Sequence, residues 1–571
     1  MIYLKNIPYL KVRKVSNIKQ LLNESCEEFK DRIAYYVKNG TKEYTTIKYS
    51  QVLEDVNGLG TELINIGLQG KKIAVIGENR YEWAISYLAT INGTGIVVPL
   101  DRQLPTNEII NCLRRAEVTA IIYSGKLDDK IAEVEKEIES VKVFIGMDLE
   151  EDNDKFLSLN KLIAKGKERV INGDKRFIDA KIDEEAMSEL LFTSGTTSES
   201  KAVMLSHKNL AFNIEKQCMM LEIVPDDTFL SMLPIHHVYE CVCGFLTPLY
   251  RGASVAYCEG LKYIQKNMQE AHISVFLTVP LVLETLYKKI WIAIEKQGKT
   301  KLVKTLIKIT NVLDKMGIHI KRKVFKSIHD QVGGRARLFI AGAAAVNPEV
   351  SKGFRDLGIF TVQGYGLTEC APIVTLNRDK DYKDDAAGLP LVGTEIKITD
   401  KNEDGVGEIA VKGDHVFMGY YENENATNEA IKDGWFYTGD LGFIDKDGFI
   451  HITGRKKNVL ITKNGKNVYP EEIEDLLNNN DYIKESMVYS IPKDNDILIV
   501  ADLILDSDYI EEKFGENKKT NEELKQIVWE EVKKINQTLV SYKHIRDINI
   551  REKDFEKTTT LKIKRYMEHK N

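Results

Sequence analysis

The chain has 571 residues, 43% hydrophobic and 29% charged, which is long enough for two or three globular domains. Its formal net charge of −6 argues against a general nucleic-acid-binding protein, which would usually be strongly basic. Seven cysteines without a framework spacing favour a reducing cytoplasm over secretion. No signal-peptide pattern or apolar run of about 18–20 residues is present, so we expect a soluble protein, or one peripheral to the inner face of a membrane.

Between residues 70 and 370, short β-branched runs alternate with helix-like segments. Continuous apolar runs separated by helices are typical of parallel sheets covered on both faces. Ligands of such sheets lie beyond the carboxyl ends of the strands, so the polar residues after each run are candidates for a site. The predicted strands are KKIAVIGEN (71–79), TGIVVPLD (94–101), TAIIYSG (119–125), VKVFIGMD (141–148), ISVFLTVP (273–280), RLFIAGAAA (337–345) and GIFTVQGYG (358–366).

From about 385 to 450 the pattern changes to short, glycine-rich strands that predict an antiparallel, barrel-like structure. After GRKKN (454–458) a smaller α+β pattern follows. It includes an amphipathic helix near 521–540 with an apolar face formed by Leu524, Ile527, Val532, Ile535 and Leu539. We therefore predict an α/β fold in two domains. Residues 1–454 would form doubly wound sheets with a small barrel-like subdomain, and residues 455–571 a smaller α+β domain.

The run TSGTTSESK (193–201) follows a strand-like segment and precedes the helix-like HKNLAFNIEKQ. Hydroxyls and backbone amides with a nearby lysine are suited to binding phosphate. The run is not a Walker A loop, because Ser200 precedes Lys201 and Ala202 follows it. A plain Ser/Thr-rich turn is the alternative on composition alone.

Five motifs in this order resemble the adenylate-forming family of acyl-CoA synthetases, luciferases and peptide-synthetase adenylation domains. They are TSGTTSESKAVMLSH (193–207), QGYGLTE (363–369), WFYTGDLG (435–442), GRKKNVLITKNGKNVYPEEIE (454–474) and KTTTLKIKR (557–565). Two further segments, 233–257 and 278–291, are most similar to the long- and medium-chain fatty acid–CoA ligases. The resemblance implies a ligase that uses ATP, Mg²⁺ and coenzyme A, with an acyl-adenylate intermediate.

Two rival functions stay open at this stage. An acyl-carrier-protein ligase would deliver the acyl group to the same pantetheine arm on a protein. A catalytically weak acyl- or nucleotide-binding homologue is the other, because the phosphate loop has Ser198, Ser200 and Ala202 where the family has Gly, Pro and Gly. The sequence leaves acyl chain length and oligomeric state open, and Val238, Tyr239 and Gly244 are candidates for the border of the acyl tunnel.

The resemblance assigns each candidate site residue a role. In the phosphate loop these are Thr193, Ser194, Gly195, Thr196, Thr197 and Lys201. Tyr365 would stack on adenine beside Gly366, and Gly342 and Ala343 would lie next to the ring. Thr368 would contact the α-phosphate, Glu369 would hold Mg²⁺, and His237 would lie at the acyl–nucleotide junction. Asp440 would accept hydrogen bonds from the ribose hydroxyls, with Arg455 nearby.

The C-terminal domain is implied to be mobile, with a pivot at Lys457. Lys562 would bridge the carboxylate and the α-phosphate during adenylate formation, a task suited to one compact ammonium group. Gly465 would line the path of the pantetheine arm of coenzyme A. The sequence departs from the family at Leu561 and Thr559, where Gly and Pro are usual.

Two segments have competing interpretations. HHVYECVC (236–243) holds two His and two Cys, but zinc sites usually draw on paired clusters, so we do not expect a metal there. Residues 291–330 carry ten Lys/Arg and three Asp/Glu, with Leu302, Leu306, Ile309, Leu313 and Met316 at helical spacing. This segment is either a helix on an anionic membrane or a helix packed on the large domain with its basic face in water.

Overall fold

The computed structural model describes residues 7–568 except 39, 41, 194–199, 464–465, 494–495, 516–518 and 559–562. The described residues form two compact units. The first lies within Tyr3–Glu395 and Lys412–Asp433, and the second within Ile396–Val411 and Gly434–Asn571. The barrel-like segments therefore cluster with the C-terminal residues. A functional boundary between residues 454 and 455, next to the proposed pivot, stays a prediction.

Some helices begin directly after a residue whose side chain caps the first turn. Asn17 and Ser206 cap α1 and α7 through their side chains, and Ser206 forms a reciprocal capping box with Asn209. The helices are α1 Ile18–Glu28, α2 Tyr49–Asn65, α3 Tyr81–Ala89, α4 Thr106–Arg115, α5 Asp128–Glu137, α6 Leu159–Ile171, α7 His207–Met220, α8 Thr247–Arg251, α9 Ile264–Glu270, α10 Pro280–Lys296, α11 Thr300–Lys315, α12 Lys321–Val324, α13 Lys326–Gln331, α14 Pro348–Asp356, α15 Glu424–Ala430, α16 Pro470–Asn478, α17 Ser507–Phe514, α18 Asn521–Thr538 and α19 Arg565–Glu568.

The strands are mostly short and, in the first unit, buried. They are β1 Ile33–Val37, β2 Thr45–Lys48, β3 Lys71–Ile76, β4 Gly95–Leu100, β5 Ala120–Tyr123, β6 Val143–Gly146, β7 Phe156–Ser158, β8 Met187–Thr193, β9 Lys201–Ser206, β10 Thr228–Ser231, β11 Ser254–Tyr257, β12 Val275–Thr278, β13 Leu338–Ala341, β14 Phe360–Gly366, β15 Ile373–Leu376, β16 Leu389–Pro390, β17 Glu395–Thr399, β18 Gly407–Lys412, β19 Gly419–Tyr420, β20 Ile431–Lys432, β21 Trp435–Ile444, β22 Ile450–Arg455, β23 Leu460–Ile461, β24 Asn467–Val468, β25 Ile483–Lys493, β26 Asp496–Leu505 and β27 Asp547–Ile550.

Two sheets organise the first unit. One has the order β16-β15-β14-β13-β12-β10-β11-β1-β2 and the other β19-β9-β8-β4-β3-β5-β6-β7. The centre of each is parallel, as at β12/β13/β14 and at β4/β3/β5/β6, and the antiparallel pairs lie toward the edges. Each predicted strand between 70 and 370 is present, so the α/β prediction is confirmed.

The parallel strands are covered by helices, which explains their continuous apolar sequences. One core cluster packs Phe276 and Phe339 against Phe354 of α14, and the two phenylalanine pairs meet edge-on. A second cluster joins β3, β4 and β5 to α4 and α5 through residues such as Leu113, Ile131 and Val134.

The described residues of the second unit include antiparallel strand pairs and a separate sheet with an α-helix packed on it. Antiparallel pairs join β18 to β21 and β21 to β22, as the glycine-rich pattern predicts. Strands β25, β26 and β27 form a three-stranded sheet within the described residues. Helix α18 packs on the core of this sheet through Val528 and Val532, and Leu524 on the same predicted face is also buried. None of the helices described is both long and apolar enough to span a bilayer.

Candidate functional site

The predicted phosphate loop connects two antiparallel strands. Thr193 ends β8 and Lys201 begins β9, and the two residues are register partners. The Thr193 hydroxyl donates to the Lys201 carbonyl at 3.3 Å. The lysine therefore leads into a strand, not directly into helix α7 as the sequence pattern suggested. Ser194, Gly195, Thr196 and Thr197 lie outside the described residues.

Ser200, one of the departures from the family pattern, is held by Arg115 at the end of α4. The Arg115 guanidinium donates to the Ser200 carbonyl at 2.8 Å and to its hydroxyl at 3.2 Å. The same guanidinium lies 5.4 Å from the ring centroid of Phe192. A proline at this position would keep the carbonyl but lack the hydroxyl, so the second Arg115 bond depends on the serine side chain.

Tyr420 connects the loop lysine to the predicted metal-binding carboxylate. The Lys201 ammonium lies 4.4 Å from the Tyr420 ring centroid, within range of a cation–π contact. The Tyr420 hydroxyl donates to Oε1 of Glu369 at 2.9 Å. Tyr420 is buried, so its ring fixes both partners with little freedom to move. Lys201 and Glu369 therefore contact the same side chain, Lys201 at its ring and Glu369 at its hydroxyl.

The turn that carries Thr368 and Glu369 is held by helix α7. Thr368–Cys370 forms a single helical turn after β14. Asn213 donates from its amide to the carbonyls of Cys370 and Ile373, at 3.0 and 2.9 Å. One turn earlier, Asn209 donates to the carbonyls of Asp414 and Val416, just before the strand with Tyr420. One face of α7 therefore positions both Glu369 and its tyrosine partner.

Backbone space is tight where the family motif has glycine. A Cβ on Gly366 would lie 2.1 Å from the Pro372 carbonyl oxygen, so this position requires glycine. Tyr365 lies one residue earlier on β14, paired with Thr375 of β15. A Cβ on Gly342 would lie 2.9 Å from the Tyr239 ring, so the group that limits the size of residue 342 is a protein ring.

Ala343 has a backbone φ of +75°, a region that favours glycine. Alanine in this conformation is strained by about 1 kcal/mol or more. The residue is exposed at the carboxyl end of β13, where the sequence predicts the adenine site. Strain at such a position is a feature of functional sites, and it is consistent with the predicted role.

A small apolar cavity lies close to Gly342 in the first unit. Its wall is formed by the end of α7, the π-helical segment Tyr239–Leu246 and the central strands of the larger sheet. Representative lining residues are Cys218, Leu221, Phe229, Tyr239, Leu277 and Leu376. Tyr239 therefore borders the cavity and also packs on Gly342. Gly244 instead faces Glu240, because a Cβ there would lie 2.7 Å from that carboxyl group.

The segment that carries the two histidines is fixed by Asn79. The Asn79 amide donates to the Ser231 hydroxyl and the Leu233 carbonyl, and its oxygen accepts from the Ile235 N–H. His237 starts the following helical turn, with its carbonyl accepting from Cys241 at 2.9 Å. Burial lowers the pKa of His236, and its Nε2 lies 3.7 Å from an oxygen of Asp101. Among the described residues no cluster of three or more metal-binding side chains exists, at these histidines or elsewhere.

The second unit brings the two predicted ribose-site residues together. Asp440 and Arg455 are register partners on β21 and β22, and the Arg455 Nε lies 2.7 Å from Oδ1 of Asp440. Glu408 supports both strands, since its carboxylate accepts from the Gly439 N–H at 3.1 Å and from Lys456 at 2.7 Å. Because Glu408 is buried, its carboxylate holds the segments that carry Asp440 and Arg455 in a fixed position relative to each other.

The tail around Lys562 is anchored on both sides, although Lys562 itself and Gly465 lie outside the described residues. Before it, Lys557 pairs with Glu485 at 2.6 Å. After it, Arg565 forms an ion pair with Glu474 and donates to the Val488 carbonyl at 3.0 Å. Lys557 and Ile563 form an antiparallel bridge. Burial raises the pKa of Glu474 to about 7, while Arg565 opposes that rise. Lys457 lies in the short turn Lys456–Asn458.

Sequence reasoning missed the supporting residues Arg115, Asn209, Asn213, Glu408 and Tyr420. Each lies in a segment whose local pattern predicts only a helix or a strand, and each acts through a partner distant in sequence. Asn209 gave a partial signal, as the third residue after a helix-capping serine. The others have no signal in the sequence pattern.

The comparisons with known proteins agree with this geometry. Residues 22–421 match the family described as AMP-binding enzyme, and residues 457–570 match the AMP-binding enzyme C-terminal domain. A long-chain-fatty-acid–CoA ligase 5 from Mus musculus is 31% identical over 472 residues, covering 76% of this chain and 67% of the relative. The ligase FadD15 from Mycobacterium bovis is 26% identical over 91% of this chain and 90% of its own length.

A solved structure shows the same fold. The anthranilate CoA ligase AuaEII, in complex with anthranoyl-AMP, superposes with a TM-score of 0.78 over 98% of this chain and 97% of its own. At 18% identity this likeness concerns the fold alone. Because the first family match covers more than half of the chain, the protein belongs to the AMP-binding enzyme family.

Proposed function

We propose that the protein is an ATP- and Mg²⁺-dependent fatty acid–CoA ligase that forms an acyl-adenylate and then an acyl-CoA. The observation that carries this proposal is the apolar cavity bordered by Tyr239, whose ring packs on Gly342. An apolar cavity with few polar groups suits an alkyl chain. The contact of Tyr239 with Gly342, a proposed adenine-site residue, supports a site for the alkyl chain next to that for ATP. The named ligase relatives support the same substrate class.

In the first half-reaction, a carboxylate oxygen of the fatty acid attacks the α-phosphorus of ATP and pyrophosphate leaves. The reaction forces anions together, so positioned charge is the main requirement. Lys201 supplies a cation at the end of the loop, and Thr368 offers a hydroxyl in the turn after β14. Lys562 is the proposed bridge between the carboxylate and the α-phosphate.

Glu369 is the proposed Mg²⁺ ligand. Mg²⁺ is commonly bound in proteins through one or two carboxylates together with substrate phosphates and water. A half-buried carboxylate held on one oxygen by Tyr420 fits that pattern. When bound, Mg²⁺ would neutralise phosphate charge.

In the second half-reaction, the thiolate of coenzyme A attacks the acyl carbon and AMP leaves. Asp440 and Arg455 are the proposed contacts to the ribose region, and Gly465 the proposed opening for the pantetheine arm. The proposed pivot at Lys457 would change the orientation of residues 455–571 between the two half-reactions.

The test is a panel of carboxylic acids from acetate to oleate with ATP and coenzyme A, followed by AMP release. We expect turnover to depend on acyl chain length, with acetate inactive. Pyrophosphate release that does not depend on added fatty acid would contradict the proposal and favour a nucleotide-binding homologue. Coenzyme A and acyl carrier protein offered separately to the preformed adenylate would identify the thiol acceptor.

A further inference from the structure

Helix α11 (Thr300–Lys315) has two apolar faces, of which one is packed on the protein. Val303 is 8% exposed, and Leu306 and Ile307 pack against the core cluster of the larger sheet. Asn311 donates to Asp356 of α14 at 2.9 Å, which fixes the helix on its neighbour. The orientation of α11 is therefore set by contacts that do not involve its other face.

The other apolar face is directed outward. Leu302, Ile309, Val312 and Met316 are 55%, 50%, 58% and 68% exposed. Their spacing of seven, three and four residues puts them in one stripe along the helix. Ile318, just beyond the helix, is 46% exposed and extends the apolar surface. Single exposed apolar residues are ordinary, but a continuous stripe of this kind marks an interaction surface.

A row of lysines borders this stripe. Lys301, Lys304, Lys308 and Lys315 are all exposed, and their helical positions put them along one edge of the apolar face. The acid of this helix, Asp314, is engaged by Lys321 at 2.8 Å and His319 at 3.0 Å, so it does not neutralise the row. The segment 291–330 carries ten basic and three acidic residues in a chain with net charge −6.

We propose that the outer face of α11 docks the protein on an anionic lipid bilayer. The apolar stripe would enter the boundary between headgroups and acyl chains, and the lysines would contact anionic headgroups. Charge complementarity selects this partner, because a second copy of this chain would bring the same lysine row against itself. From the sequence, contact with a membrane and packing on the large domain were alternatives. Because α11 has two apolar faces, one can pack on the domain while the other contacts the membrane. The inference does not depend on the ligase activity.

The test is co-sedimentation of the full chain with phosphatidylcholine vesicles, with or without about 30% phosphatidylglycerol, at low and high salt. We expect binding to the anionic vesicles that weakens as salt rises. The variant Lys301→Glu/Lys308→Glu/Lys315→Glu should bind more than tenfold more weakly, since each lysine near the surface contributes roughly fivefold. The variant Leu302→Ser/Ile309→Ser/Val312→Ser/Met316→Ser should also lose binding, with its packed face intact.

Matched controls isolate the helix. Lys136→Glu/Lys142→Glu/Lys181→Glu changes the net charge equally at exposed lysines elsewhere, and Ile171→Ser removes an apolar residue that is 84% exposed. Both should bind like the parent protein. Circular dichroism checks that every variant is folded. No binding by the parent, or equal loss in the helix and control variants, would overturn the proposal. So would a dimer in sedimentation velocity that only the α11 variants dissociate.

Discussion

The Tyr420 hydroxyl donates a 2.9 Å hydrogen bond to the Glu369 carboxylate, and the same tyrosine ring lies under the ammonium of Lys201. Lys201, Tyr420 and Glu369 come from distant parts of the chain, and Tyr420 contacts the other two. The two charged members are those that the sequence predicts for metal and phosphate binding. Their relative position is set by a neutral ring that the sequence did not single out.

Replacing Tyr420 with Phe keeps the ring under Lys201 and removes the hydrogen bond to Glu369. A hydrogen bond to a charged group is worth about 1.5–3 kcal/mol, so we expect the Mg²⁺ concentration for half-maximal ATP–pyrophosphate exchange to rise roughly tenfold. The matched control is Tyr421→Phe, since the Tyr421 hydroxyl bonds to Glu117 and not to Glu369. Equal Mg²⁺ dependence in both variants would contradict the role of Tyr420.

Lys562→Ala should abolish adenylate formation while leaving coenzyme A attack on supplied acyl-AMP largely intact. The reason is that the lysine cation is needed only while carboxylate and phosphate charges are brought together. The two half-reactions are measured separately, by pyrophosphate exchange and by thioester formation. Lys564→Ala is the control two residues away and should retain both. Comparable loss of both steps in the Lys562 variant would count against its assignment.

Glu408→Gln should raise the KM for ATP several-fold, because Glu408 ties the Asp440 strand to Lys456 beside Arg455. The amide keeps the shape and weakens the bond to Lys456, so the fold should persist. Glu403→Gln is the control, since Glu403 is exposed and forms a surface ion pair with Lys466. An unchanged KM with altered thermal stability would mean that Glu408 has a structural role alone.

Leu221→Trp should shift the preference toward shorter fatty acids by filling part of the cavity. When two acids of different length compete for the enzyme, the relative rates of product formation give the ratio of their kcat/KM values. This ratio does not depend on enzyme concentration. Leu261→Trp is the control, since Leu261 is 60% exposed and away from the cavity wall. An unchanged ratio with reduced overall rate would show that the alkyl chain lies elsewhere.

Glu240 predicts a pH dependence of stability. Burial raises the pKa of Glu240 to about 8, with the Ser231 hydroxyl opposing that rise through a 2.5 Å hydrogen bond. The folded protein therefore keeps a proton that the unfolded chain releases near pH 4.3. This contribution to stability is full below that pH and is lost as the pH rises toward about 8, by at most about 1.4 kcal/mol per unit.

The variant Glu240→Gln removes this titration while keeping the size of the side chain. Its melting temperature relative to the parent should rise between pH 5 and pH 8. Burial also raises the pKa of Glu189 to about 8. Because both proteins contain Glu189, its effect cancels in the difference between their melting temperatures, which then reports on Glu240. Glu133→Gln, at an exposed position on α5, is the control. A difference in melting temperature that stays constant with pH would refute the assignment.

The sequence by itself determined the α/β class, the strands around residues 71–146 and 273–366, and the family. These follow from local information, since apolar runs record burial and the motifs of QGYGLTE and WFYTGDLG record the chemistry of a site. Even the helix near 521–540 was predicted with the correct buried face. Local pattern was sufficient wherever a residue's role depends on its chain neighbours.

Only the tertiary structure decided how the candidate site is supported. That Lys201 opens an antiparallel strand depends on its pairing with Thr193, and that Glu369 meets Tyr420 depends on a return of the chain fifty-one residues later. The outward direction of Leu302, Ile309 and Met316 was likewise set by which face of α11 the core accepted. An amphipathic pattern gives the faces of a helix, but the packing partners choose which face is buried.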